Sequence, residues 1–210
     1  MKDKSRVQLF GEVFTGEKQV NDMLDLVREE TLRIDSRFLE PACGDGNFLI
    51  KVLERKINII ISKYHKSRIE FERYSFIAIG SLYGVEILED NVTKCINRLY
   101  DFFSDKYKAI FKDEINLKFL SSVEFILKRN ILHGDALNLK QPISNKPIIF
   151  SEWSFIKGSL VQRSDYELSD ILAYKPQDNS LFSDLGEEVI IPPPIKIYDP
   201  IHFYEVQDVK

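Results

Sequence analysis

Hydrophobic positions along this chain fall into short continuous runs that alternate with longer stretches of helical spacing. Val20, Met23, Leu24 and Val27 return every three or four residues, which predicts a helix with Thr15 placed to cap it. Phe38-Leu39-Glu40 reads as a short strand closed by an acid. Phe48, Leu49, Val52, Leu53 and Ile57 then mark one apolar face of a helix running from about Asn47 to about Tyr64. Leu82-Tyr83-Gly84-Val85 predicts a second strand ending at Glu86, and Val92, Cys95, Ile96, Leu99 and Phe103 build the core face of the helix after it. Ile115, Phe119 and Val123 keep helical spacing through a segment read as a helical insertion. Asn130 to Leu137 gives a third strand with Gly134-Asp135 at its carboxyl end, and Pro147-Ile148-Ile149-Phe150 gives a fourth. Strands alternating with helices predict an α/β fold, a mostly parallel sheet with helices on both faces.

Beyond the fourth strand, Tyr166 to Tyr174 is helix-like and Pro176-Gln177-Asp178-Asn179-Ser180 breaks the pattern. Pro192-Pro193-Pro194 and Asp199-Pro200 favour an extended chain over a sheet interior. The expected organisation is one α/β domain over 1–175, including the N-terminal helix, and a proline-rich extended tail over 176–210, apolar enough to dock on its own sheet or on a partner. At 210 residues, with 44% hydrophobic and 30% charged side chains, the composition is that of a single globular core. A net charge of −4 gives no general attraction to nucleic acid, although Lys63, Lys66, Arg68 and Arg73 form a local basic run that reads either as a rim for DNA or as a solvated helix end. Cys43 and Cys95 form no disulfide framework, and His65, His133 and His202 stand apart, so no metal site is expected. No signal peptide or membrane-spanning run is read, which makes a cytoplasmic address the expectation.

The chemistry concentrates at Glu40-Pro41-Ala42-Cys43-Gly44-Asp45-Gly46-Asn47. Gly44 and Gly46 tolerate positive φ and let backbone approach a small ligand, and the helix that follows points free N–H groups into the same turn. A third glycine three residues on, which a nicotinamide-binding turn wants, is replaced by Leu49. Glu86 ends the second strand, where a carboxylate offers two coplanar acceptors to ribose hydroxyls.

With its flanks, Leu39-Glu40-Pro41-Ala42-Cys43-Gly44-Asp45-Gly46-Asn47-Phe48-Leu49 resembles motif I of the S-adenosylmethionine (SAM)-dependent N6-adenine DNA methyltransferases of restriction–modification systems. The resemblance covers roughly residues 10 to 153 and implies a Rossmann-like SAM-dependent methyltransferase fold. It implies that Phe10-Gly11-Glu12-Val13-Phe14-Thr15 lies along the methionine end of SAM, with Gly16 where the family has proline. It further implies that Glu40, Ala42, Gly44, Gly46 and Glu86 hold the cofactor, and that Asp135, with Ala136 beside it, meets the adenine amine. The alternative for Gly134-Asp135 is a turn aspartate, since Gly-Asp is common in turns.

The fourth strand departs from the family. Its members follow this strand with Asn, Asp or Ser, then Pro-Pro and an aromatic residue. The polar side chain and a proline carbonyl accept from the target amine, and the aromatic ring stacks on the flipped base. Here Ser151-Glu152-Trp153-Ser154 stands instead, so Ser151 and Trp153 are the catalytic candidates and both prolines are missing. Too few residues follow for a full target-recognition domain. The expected function is therefore a SAM-dependent modification subunit acting on DNA, with a recognition or restriction partner. The alternative is a catalytically inactive SAM-binding or scaffolding subunit, and a blander third reading is a Rossmann-like domain for another nucleotide.

Overall fold

The computed structural model describes residues 15–173 and 192–209. The N-terminal helical face predicted from Val20 and Leu24 forms α1 (Glu17–Leu26), followed by the short α2 (Arg28–Leu32). Thr15 does not cap α1. Gly16 is the cap residue, its N–H donating to Gln19 Oε1 at 3.2 Å. Then come β1 (Phe38–Glu40), α3 (Asn47–Tyr64), α4 (Arg68–Gly80), β2 (Leu82–Glu86), α5 (Glu89–Phe111), α6 (Leu117–Asn130) and β3 (Ile131–His133). The strands pair in parallel in the order β1-β2-β3. Buried side chains from α3, α4, α5 and α6 form one continuous core with β2.

The predicted fourth strand is longer than its apolar run and does not join the parallel sheet. β4 (Ile149–Lys157) turns at Gly158, φ +56°, and pairs antiparallel with β5 (Leu160–Glu167). β6 (Lys196–Ile197) and β7 (Ile201–His202) add to β5, completing a separate four-stranded sheet. The molecule is thus mixed α/β with two sheets, where the sequence predicts one mostly parallel sheet. The helix expected over Tyr166 to Tyr174 is α7 (Leu168–Ala173), because Tyr166 and Glu167 still belong to β5.

β4 crosses beneath the amino-terminal ends of the parallel strands, and three contacts fix that position. The Ser151 N–H donates to Asn130 Oδ1, one residue before β3; Trp153 packs on Gly80, two residues before β2; and Arg37, just before β1, pairs with Glu152. Phe150, with Ile148 and Leu168, covers Tyr83 and Val85 on one face of the parallel sheet.

The described portion of the C-terminal segment is part of the same core. Phe203 and Val206 are buried in it, and Tyr204 donates to the Glu72 carboxylate, which also accepts from Tyr107 and pairs with Arg68. Glu72 is completely buried, so these donors offset the cost of burying its charge. Lys56, likewise buried, matches its three donors to Ile34 O, Ser36 O and Ser81 Oγ. Burial pulls its pKa down to about 7 while these acceptors favour the ammonium.

A Tyr204→Phe substitution keeps the ring and removes one donor to a buried carboxylate. It is expected to cost about 1.5–3 kcal/mol, measured as a lower urea midpoint. An unchanged midpoint would mean that the C-terminal segment is not pinned at Glu72.

Candidate functional site

Three parallel strands deliver acids to one edge. Glu40 and Glu86 are the last residues of β1 and β2, and Asp135 follows β3 by two residues. Between Glu40 and α3 the chain makes a tight turn in which Gly44 has φ +54° and Gly46 φ +92°, the left-handed conformations that favour glycine. Cys43 N–H continues the sheet by donating to Val85 O at 3.0 Å, and Gly46 N–H closes the turn on Cys43 O at 2.8 Å.

Glu86 holds this turn. Its Oε2 accepts from Gly44 N–H at 2.9 Å and its Oε1 from Leu88 N–H at 2.9 Å. A carboxylate has about four lone-pair sites, so two bonds leave acceptor capacity on each oxygen. Gly134 N–H donates to the Glu86 carbonyl at 2.9 Å, tying the start of the Asp135 turn to the same strand end. Glu40 is half-buried and its Oε1 accepts from Ala42 N–H at 3.4 Å. Burial pushes its carboxyl above the ordinary range and the Ala42 N–H opposes that shift. Arg98 of α5 braces the turn from outside, donating to Asp45 O at 2.7 Å.

The structure therefore gathers Glu40, Ala42, Gly44, Gly46 and Glu86 into one site. Thr15 stands at its margin, its carbonyl accepting from Asn47 Nδ2 at 3.5 Å. Asp135 serves its own turn: Oδ1 accepts from Leu137 N–H at 2.9 Å and Oδ2 from Asn138 Nδ2 at 2.6 Å. Ala136 packs with the apolar cluster around Tyr83 and Ile148. Beside them, His133 donates from Nε2 to Ile87 O at 3.0 Å, a contact that fixes its tautomer.

Ser151 and Trp153 are not brought to this edge. Glu86 ends β2, whereas β4 passes the residues before β2 begins; at about 3.3 Å per residue the length of β2 alone separates the two ends by roughly 13 Å. Ser151 is wholly buried and donates to Asp165 Oδ1 at 2.7 Å. Trp153 is packed edge-on against Phe76 and Phe125. Neither can stack on or accept from a group at the glycine turn. The cause is antiparallel pairing with β5, which draws β4 away from β1; among the described residues no strand pairs the other edge of β1.

Three positions shape the site by close packing, a role that the sequence reading did not give them. Gly84 approaches Cys43 and Leu49 so closely that a Cβ there would lie 2.9 Å from Cys43 Sγ, and a Cβ on Gly134 would lie 2.5 Å from Ile148 Cδ1. Cys95 packs against Gly46. Both cysteines are buried, and the Cys43 thiol is pushed up, first by its hydrogen bond with Cys95 and then by burial, so Cys43 packs as a neutral thiol. Among the described residues no group of three or more His, Cys, Asp or Glu is placed to hold a metal, and no helix is long and apolar enough to cross a membrane.

Gly46→Ala would put a Cβ 2.7 Å from Cys95 Sγ at a φ that L residues avoid. It is expected to destabilise the chain by more than about 1–2 kcal/mol, the left-handed cost alone, with Cys95→Ala recovering only the steric share. Equal urea midpoints for Gly46→Ala and wild type would contradict this packing. No family model matches the chain, and no curated protein or solved structure matches it either.

Proposed function

We propose that the chain is the cofactor-binding subunit of a SAM-dependent methyltransferase of the adenine-N6 DNA type, Rossmann-like in fold, working with a partner that reads the DNA sequence. The observation that carries the reading is the bond from Gly44 N–H to Glu86 within a turn where three parallel strands end. Ligands of open α/β sheets bind at the carboxyl ends of the strands. A bare glycine backbone beside a carboxylate with spare acceptor sites fits a cofactor that carries both a nucleoside and an amino acid.

In this reading Glu86 accepts from the ribose hydroxyls, and the Gly44 and Gly46 backbone leaves room for the amino-acid end, which passes Thr15. Glu40 and Ala42 line the floor, and Asp135 and Ala136 flank the adenine. Bound SAM supplies an electrophilic methyl carbon on a sulfonium. The protein's task is to hold the acceptor amine in line with it and to take the proton that the amine releases.

A second reading is favoured by a specific observation. Ser151 and Trp153 lie at the amino-terminal ends of the strands, so the described residues put none of the expected acceptor-side groups at the crevice. The chain then either receives those groups from its partner or serves as a SAM-binding subunit without transfer activity.

Calorimetric titration with SAM, and methyl transfer from labelled SAM to unmethylated DNA, separate these readings. Wild type is expected to bind SAM. Glu86→Gln should weaken binding about tenfold or more, the loss of one charge-assisted hydrogen bond, and Ser151→Ala should leave affinity within about twofold. Transfer is expected only when the partner is present. A wild type that binds no SAM, or binds ATP or NAD in its place, would overturn the first reading. Transfer by the chain alone would overturn the second.

A further inference from the structure

At the other end of the sheet, Asp165 is surrounded by more positive charge than it can neutralise. Arg163 grips it from two nitrogens, Nε to Oδ1 at 2.8 Å and Nη2 to Oδ2 at 2.7 Å. Ser151 Oγ donates to Oδ1 at 2.7 Å and Tyr198 OH to Oδ2 at 3.1 Å. These four bonds fill the carboxylate's acceptor sites.

Arg129, the next-to-last residue of α6, is left with poor partners. Its Nε reaches Ser151 Oγ at 3.3 Å and its Nη2 reaches Asp165 Oδ2 at 3.5 Å, both long beside the 2.7–2.9 Å typical of charge-assisted bonds. Its side chain keeps 32% of its surface in solvent. Burial and then the neighbouring Arg163 pull its pKa down, while Asp165 opposes the shift. Lys196 pairs in register with Asp165, and its ammonium sits 4.1 Å from the centre of the Tyr198 ring, which Arg163 also contacts at 4.2 Å. Among the described residues no carboxylate forms an ion pair with Lys196.

We propose that Arg129, Arg163 and Lys196, gathered around Tyr198 at the margin of the antiparallel sheet, form a binding site for a phosphate group. Three cations against one carboxylate leave an excess of two positive charges, which one phosphate monoester at about −1.5 to −2, or two neighbouring backbone phosphodiesters at about −1 each, balance and a single carboxylate does not. Guanidinium donors suit its several oxygens, with Lys196 as a mobile point charge. The phosphate belongs either to a nucleotide or terminal monoester, or to a polynucleotide backbone. This site lies beneath the amino-terminal strand ends and is independent of the cofactor reading.

The test is calorimetric titration of the full chain, in chloride buffer, with inorganic phosphate, a 5′-mononucleotide and a short duplex lacking terminal phosphates. Wild type should bind at least one of them, and Arg129→Gln and Lys196→Gln should each weaken that binding about tenfold. Binding of the monoesters alone assigns the site to a nucleotide or chain terminus; binding of the duplex alone assigns it to a nucleic-acid backbone. Lys196 is exposed, so Lys196→Gln carries the test if Arg129→Gln melts early. The proposal is overturned if wild type binds none of the three, or if Lys196→Gln binds as wild type does. Phosphate binding by a chain that takes no SAM would leave this site standing and remove the reading above.

Discussion

Two backbone N–H groups on one carboxylate organise the upper edge of this molecule. Glu86 receives Gly44 from the turn after β1 and Leu88 from the turn before α5, so the end of β2 fixes the loops on both sides of it. Without that clamp the glycine turn would keep its own Gly46–Cys43 bond, the Cys43–Val85 rung and the Arg98 brace on Asp45, but no bond from Gly44 to the end of β2. The geometry of a clamp that retains free lone pairs is also what makes the edge a candidate binding site. The side chain that orders the loop remains able to accept from a ligand.

The lower edge is built on the opposite principle. There the antiparallel sheet seals the strand starts with buried charge, and Ser151 is one donor in a network centred on Asp165. Buried ionic networks stabilise only when their members are satisfied, and this one holds more cations than its carboxylate can serve. The two ends of one three-stranded sheet thus have distinct chemistry. The upper edge offers acceptors beside bare backbone, and the lower edge offers donors.

Much of the upper edge was legible in the sequence. Phe38–Glu40 and Leu82–Glu86 are apolar runs closed by acids, and α3 begins and ends where its apolar face predicts. α4 escaped notice because it is buried on several sides: Phe71, Glu72, Ser75, Phe76, Ala78 and Ile79 are all inside, so no single stripe marks the helix. β5 escaped for a different reason. Its inward positions include Arg163 and Asp165, a buried pair that alternation of apolar and polar residues cannot reveal. Missing β5 also misplaced Ser151 and Trp153, since only that hairpin partner tells β4 to turn away from β1. Of the two docking places expected for the apolar C-terminal segment, its own sheet or a partner, the described part takes the first: Phe203 and Val206 enter the core, and β6 and β7 pair with β5.

The central claim is that a nucleoside cofactor is held at the Glu86 edge and not at the Ser151–Trp153 edge. The chain has one tryptophan, so its indole N–H gives a single resonance at the lower edge to set against the amides of Gly44, Gly46 and Leu88 at the upper one. The direct measurement is an amide NMR titration with SAM. The account predicts that the Gly44, Gly46 and Leu88 signals shift with saturation while the Trp153 indole stays in place. Movement of the Trp153 indole with a stationary Gly44 would contradict it.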